Sequence, residues 1–368
     1  MSARPRWGIV LNPIHPAARS RVRALCALLD HRGIAWELAL TTPVRPGAAQ
    51  AARLAARGVQ ALAVVGGDGT LRACAQGLLG CGEDAAAAAP PSSAPEAPGA
   101  APLPVLVPIP TGTANLFAGA LGITRRTPLE ALLAAPVRRV DAGRAELTRG
   151  RGDDHRETRI FLTAAGMGHD ARTIMRMRRR TAIRVLGHAG TRWLAYPLAG
   201  VPLLGAAPFT AHVRWEAAEG AGEEASVRAW SLLAGLGPGL PAPLRAFPGR
   251  ADDGALDLLA CCPRTSPVGR WADWAAVAAS ALPGRGAGGP ALRGQHSRAG
   301  ESPERAGDAA AARGTGAHPL RRARARTVVV EPLTPQPVQL DGEAVPGIVR
   351  LRAEALPGAL RAAAPRIR

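Results

Sequence analysis

Lysine does not occur in this chain, and every one of its 46 basic residues is arginine. That absence excludes a Walker A loop, a Schiff-base enzyme and a protein kinase, each of which needs an amine at a defined place. Aromatic residues make up only 3%, and no stacking motif lies near the arginine runs, so a nucleic-acid binder ranks last among the functions considered. The cysteines, Cys26, Cys74, Cys81, Cys261 and Cys262, lack CxxC spacing and neighbouring histidine pairs, which supports neither a zinc site nor a disulfide framework. The opening Met1 to Leu11 has too short an apolar run for a signal peptide. A long uncharged run lies between Arg192 and Arg214, but Pro197, Pro202 and Pro208 interrupt it. It reads as a buried or interfacial segment of a soluble domain rather than a membrane span. A cytoplasmic protein is the expectation.

What is present is length and positive charge. The 368 residues, with an apolar fraction of 47%, suffice for two domains with their own cores. A formal net charge of +18 favours anionic partners without choosing among nucleotides, acidic lipid surfaces and nucleic acid.

The stretch Ala61 to Gly80 reads as strand, glycine turn and helix, with Gly66, Gly67, Asp68, Gly69 and Thr70 at the turn. Three glycines around one carboxylate leave the backbone free to take positive φ, admit a bulky anion to the amides and keep one metal-directed side chain beside it. Upstream, Trp7 to Leu11 is a strand ending at Asn12-Pro13, Ala17 to Leu29 has helical spacing, Ala35 to Leu40 reads as a strand and Gly47 to Arg57 as a helix. Strands alternating with helices predict a doubly wound parallel sheet, with ligands beyond the carboxyl ends of its strands. A second strand-turn-helix unit follows at Val105 to Leu121, its turn formed by Thr111, Gly112, Thr113, Ala114 and Asn115. The hydroxyls can donate to phosphate and Asn115 can cap the helix or bind ligand, although an ordinary capped turn has the same composition.

From Val137 the chain is read as passing into a β-rich part. Ile160 to Ala164 is a predicted strand, and Gly166-Met167-Gly168-His169-Asp170 a further glycine turn. The basic helix after it carries Arg172, Arg176, Arg178, Arg179, Arg180 and Arg184, suited equally to an anionic membrane surface and to plain solvation. Phe209 to Trp215, Ser226 to Leu233 and Ala255 to Ala260 have strand character and suggest an antiparallel sandwich. Trp271 to Leu282 reads as a short amphipathic helix. Asp252-Asp253-Gly254-Ala255-Leu256-Asp257 can hold a hard cation or simply make a turn. Near the end, Ala325 to Val330 and Val338 to Leu340 read as strands, the latter running into Asp341-Gly342-Glu343. That turn offers one proton acceptor and one magnesium ligand, or only a hairpin. Glu83 to Pro104 and Gly284 to Pro319 are compositionally biased and read as a flexible and a disordered insertion.

In this order the motifs resemble the diacylglycerol kinase catalytic-domain family, particularly its bacterial soluble lipid kinases, with sphingosine and ceramide kinases as relatives. The likeness rests on Asn12-Pro13, Gly66 to Thr70, Pro110 to Asn115, Asp141-Ala142-Gly143, Ala165 to Ala171, Leu186-Gly187 to Tyr196, Asp252 to Asp257 and Asp341 to Glu343. It implies an N-terminal α/β nucleotide-binding domain over 1–140, with the insertion 83–104, and a C-terminal antiparallel β-sandwich lipid-substrate domain over 141–343, with the insertion 284–319. The tail 344–368 returns to the first domain. ATP would bind at Asn12, Gly66, Gly67, Asp68, Gly69, Thr70, Thr111, Gly112, Thr113, Asn115 and Glu343. Mg2+ would involve Asp68 and Glu343, with Asp252 and Asp257 as further candidates. Asp341 would take the proton of a lipid hydroxyl, Asp68 sharing the catalytic centre as organiser of the metal. The implied function is an ATP- and Mg2+-dependent lipid kinase, diacylglycerol being the leading acceptor, peripheral at the anionic inner membrane surface and with a homodimer left open. An NAD kinase-like enzyme and a catalytically silent nucleotide-binding protein that docks on membranes are the alternatives. Two departures stand out: Leu116 occupies a place where many members have aspartate, and Ile14-His15-Pro16 replaces the usual small residue of the first loop.

Overall fold

The computed structural model describes residues 6–14, 16–81, 102–112, 114–150, 156–179, 206–217, 222–238, 247–262, 269, 272–273, 291–292, 295–296 and 320–367. The first lobe is the expected alternation: β1 Arg6–Leu11, α1 Pro16–His31, β2 Ala35–Leu40, α2 Ala48–Ala56, β3 Ala61–Gly66, α3 Asp68–Leu78 and β4 Val105–Pro110. All four strands run parallel, in the spatial order β2-β1-β3-β4. The inner strand β3 is buried at every position. A continuous apolar run is what a parallel strand covered on both faces requires. The order reverses between β1 and β3, so Asn12 and Gly67 emerge side by side at the topological switch point, where such sheets bind ligands. Two short helices, α4 Leu116–Ala120 and α5 Leu129–Leu133, complete this part.

The second lobe is antiparallel: β5 Val137–Arg149, β6 Arg156–Phe161, β7 Ala164–Gly168, α6 His169–Arg179, β8 Phe209–Glu216, β9 Gly222–Ala229, β10 Ser231–Gly235, β11 Leu256–Cys261, β12 Gln295–His296, β13 Leu320–Ala325, β14 Thr327–Pro332, β15 Gln336–Leu340 and β16 Glu343–Ala363. Its core gathers inward residues of β5 to β11 and β13 to β16, among them Phe161, Met167, Val213, Leu258, Val338 and Leu351. Strand β16, 21 residues long, joins the lobes. Val345 to Ala355 serve the second core, while Leu360 and Ala362 to Ala364 serve the first. Its far end pairs in parallel with β4 through Ala362 and Leu106, and β5 accompanies it from Ile348 to Ala363.

Several expectations change here. Gly166-Met167-Gly168 is strand β7, not a turn, paired on both sides with β10 and β15. Glycine is needed there for space: a Cβ at Gly166 would lie 2.4 Å from Leu233 Cδ2. Ser226 to Leu233 divides into β9 and β10 about Trp230, and the strand expected at Ala325 to Val330 divides into β13 and β14 at Arg326. Within the stretch expected to be a disordered insertion, Gln295 and His296 pair with β9, and Ala291 bridges to Arg322. Residues 83–101, Leu186 to Tyr196 and most of Trp271 to Leu282 lie outside the described residues. Among the described residues no helix is long and apolar enough to cross a membrane.

Candidate active site

The glycine turn is shorter than its sequence suggests, because α3 begins at Asp68 itself. An aspartate in a first helical turn suits the positive end of the helix dipole. None of Gly66, Gly67 and Gly69 is at positive φ. Their value is proximity: a Cβ at Gly66 would lie 2.8 Å from Thr70 Cβ, and one at Gly112 only 2.5 Å from Gly67 Cα. The two loops therefore touch backbone to backbone, secured by the Thr111 amide donating to Gly66 O at 2.9 Å. Asn12 joins them, its Nδ2 donating to Thr70 Oγ1 at 3.0 Å.

On the second loop, Asn115 sits in the left-handed region at φ 48° and precedes α4. Its Nδ2 donates to Gly112 O at 2.8 Å, while its Oδ1 and Thr111 Oγ1 are buried without a hydrogen-bond partner. Such groups are costly unless a ligand completes them. Arg125 donates to the carbonyl oxygens of Gly112 and Thr111, and Arg21 donates to Thr127 O at 2.8 Å. Thr113 lies outside the described residues.

Asp68 faces this second loop, its Oδ1 accepting the Phe117 amide at 3.2 Å. Burial pushes its carboxyl up to about 6; the nearby Asp341 carboxylate adds to the rise, while the amides of Leu116, Phe117 and Asn115 oppose it. Asp341, contributed by the β15–β16 turn, is held differently. It is left-handed at φ 48°, and its carboxylate accepts from Leu162 N at 2.7 Å, Thr163 N at 2.8 Å, Thr163 Oγ1 at 2.6 Å and Ala164 N at 3.1 Å. The Gly342 amide donates to Gln339 Oε1 at 2.8 Å, closing the turn.

Glu343, at the other end of that turn, forms ion pairs with Arg72 through Oε2 and with Arg159 through Oε1. Asp252 pairs with Arg250 at 2.9 Å, and Asp257 accepts the Gly249 amide at 2.7 Å. Their neighbour Gly254 donates to Asp141, which also receives the Gly358 amide. Asp141, on β5, thus ties the turn before β11 to β16. No group of three or more His, Cys, Asp or Glu side chains placed to hold a metal occurs among the described residues. The structure places Asp68, Asp341 and the two loops near one another, and the sequence reading overlooked Arg72, Arg125, Arg159 and the amides at Leu162 to Ala164. Arg72 could have been found, lying four residues after Asp68 and hence on the same helix face.

Two glycine loops at a sheet's switch point, faced by a carboxylate-bearing turn from a second lobe, define the class: an α/β kinase-like protein. Residues 6–145 match the family model of the diacylglycerol kinase catalytic domain. A crystal structure of a protein from Bacillus anthracis str. Sterne, provisionally named a diacylglycerol kinase, superposes with a TM-score of 0.61 at 18% identity, covering 99% of this chain and 98% of that one. Another, titled as a diacylglycerol kinase from the same strain, gives 0.56 at 17% identity with the same coverage. At such identity these likenesses establish the fold, which extends across both lobes. No curated protein matches the chain.

Proposed function

We propose that the protein is an ATP- and Mg2+-dependent lipid kinase that transfers the γ-phosphate to a lipid hydroxyl, with diacylglycerol the leading acceptor. The observation carrying this reading is the meeting of Asp68, buried beside the two glycine loops, with Asp341 delivered by the second lobe. Phosphoryl transfer asks mainly for positioning and charge neutralisation, and this cleft supplies both kinds of group.

In the proposed reaction the amides of Gly66 to Thr70 and the Thr111–Gly112 loop hold the nucleotide phosphates. Thr111 Oγ1, buried and unpartnered, donates to one of their oxygens. The lipid oxygen attacks the γ-phosphorus as the bond to the β-phosphate oxygen breaks, releasing ADP. The resemblance gave the hydroxyl proton to Asp341. Four donors already occupy that carboxylate, so Asp68, with its carboxyl raised to about 6, is the better proton acceptor, and Asp341 orients the turn. The buried, unpartnered Asn115 Oδ1 is a hard oxygen donor that fits Mg2+, which leaves the Asp68 carboxylate to the proton. Bound there, the ion would neutralise charge on the phosphate oxygens. Action at an anionic membrane surface belongs to the same proposal, with the basic helix α6 facing the lipid.

The test is phosphorylation of a panel of lipid alcohols in vesicles, and of NAD, with labelled ATP and mass detection of products. Phosphatidic acid is the expected product. Label in NADP alone overturns the proposal, and ATP binding without transfer to any acceptor favours a silent nucleotide-binding protein.

A further inference from the structure

Helix α3 presents a polar stripe to the second lobe at intervals of one helical turn. Asp68 lies nearest the Asp341 turn, Arg72 reaches Glu343, and Gln76 Oε1 accepts the Ile160 amide at 3.4 Å. The middle position is unusual. The Arg72 side chain is 90% buried, with a relative exposure of 10%, and its partner Glu343 is 37% exposed. The same Glu343 is shared with Arg159, itself paired with Glu157 at 2.5 Å, which in turn meets Arg149 at 3.5 Å. Arg72 Nε is buried and makes no hydrogen bond. A guanidinium offers a fork of donors; here the single carboxylate leaves that fork incompletely used.

We propose that Arg72 and Arg159 form a phosphoryl-binding clamp between the lobes, held in the empty protein by Glu343 as an internal stand-in for the anion. A carboxylate gripped by guanidinium groups from two elements occupies the place that phosphate takes between arginines. Phosphate brings more acceptor oxygens than a carboxylate, enough to use Arg72 Nε as well. The location suits it, since Glu343 follows the turn that carries Asp341, and Arg72 lies one helical turn from Asp68. In a chain without lysine, these arginines supply fixed positive charge between the lobes, Arg72 from the helix that starts in the first glycine loop. Glu343 leaves the clamp when the phosphoryl group enters, and its displacement from Arg72 couples ligand binding to the contact between lobes.

The experiment is calorimetric titration of the full chain without divalent metal, using pyrophosphate to represent the nucleotide and glycerol 3-phosphate to represent a phosphorylated acceptor. Glu343→Gln is expected to tighten one of the two by roughly tenfold, the scale of a charge-assisted contact set free. The ligand that responds identifies the source of the phosphoryl group. Adding Arg72→Gln or, separately, Arg159→Gln to the Glu343→Gln chain should abolish the gain. Arg159, the less buried of the two, provides the informative variant if Arg72→Gln does not fold. A gain that survives both arginine substitutions would be a general field effect and overturns the clamp, as does the absence of any gain with both ligands.

Discussion

Two aspartates face each other across the cleft, and their surroundings differ more than their chemistry. Asp68 belongs to the first lobe, is buried, and is raised to about 6 by its loss of water. Asp341 belongs to the second and is gripped by three amides and a hydroxyl. Amides face both carboxylates, but burial outweighs those on Asp68 and raises its affinity for a proton, whereas Asp341 is enclosed by its donors as an anchor. In the proposed reaction the lobes would divide the labour accordingly: the first would offer a reactive group and backbone for phosphate, and the second a rigid turn that brings the acceptor side into register.

The severest way to break this comparison is Asp68→Asn. Transfer should fall by at least about 10³-fold, the range over which acid–base and charge terms act, while folding measured by circular dichroism is unchanged. The same variant should be more stable than the wild type by about 1–2 kcal/mol at pH 7.5 in denaturant titrations. The sign follows from a folded-state affinity for the proton above the ordinary 3.8: stability falls as pH rises from there to about 6, and asparagine removes the loss. Wild-type turnover, or lower stability, would undo the assignment. Asp341→Asn should show the reverse balance. An amide leaves amide donors without full acceptors, so a stability loss of about 1–3 kcal/mol is expected, with an activity loss that follows the disturbed turn. If it abolishes transfer with no change in stability, Asp341 is the proton acceptor after all.

Gly112→Ala tests the first lobe by itself. A methyl group 2.5 Å from Gly67 Cα must part the loops, and we expect the KM for ATP to rise by about tenfold with a smaller change in kcat, read by steady-state kinetics. A milder probe is pH. The kcat/KM of the wild type should rise tenfold per unit up to about pH 6 as Asp68 ionises, then level off. His169 moves the other way: burial, helped by Arg172, lowers it to about 4 from 6.5. It therefore contributes stability that is lost as pH falls through that interval, and thermal melting between pH 7 and pH 4 will show the loss. The last probe concerns the membrane. Arg178, Arg179 and Arg180 changed together to glutamine should weaken vesicle binding by about 1 kcal/mol per residue at low salt and by less at high salt.

Much of the first lobe was legible because its signals are local. Continuous apolar runs marked β1 and β3, and glycine at a strand end marked the loops. Positive φ was the wrong reason for those glycines, since their close approach involves Gly112, far along the chain. The second lobe was harder because its strands end without turn-forming residues between them, as at Trp230 and Arg326. Strand β16 was hidden as well. Its residues were given only as a tail over 344–368, and the strand passes through Pro346, Gly347, Pro357 and Gly358 with shifts in register against β5 and β15. Ion pairs such as Arg72–Glu343, separated by 271 residues, leave no mark in local spacing, and neither does the bond from Arg125 to the second loop.

Strand β16 also limits how the molecule can move. It starts at the acidic turn, and its ladder with β5 crosses from one core to the other, so the lobes cannot slide past each other without breaking that ladder. The ladder shifts register between Leu356 and Leu360. There Asp141 grips the Gly358 amide from β5 and the Gly254 amide from the turn before β11. The crossing of the strand from one core to the other is thus pinned at Gly358.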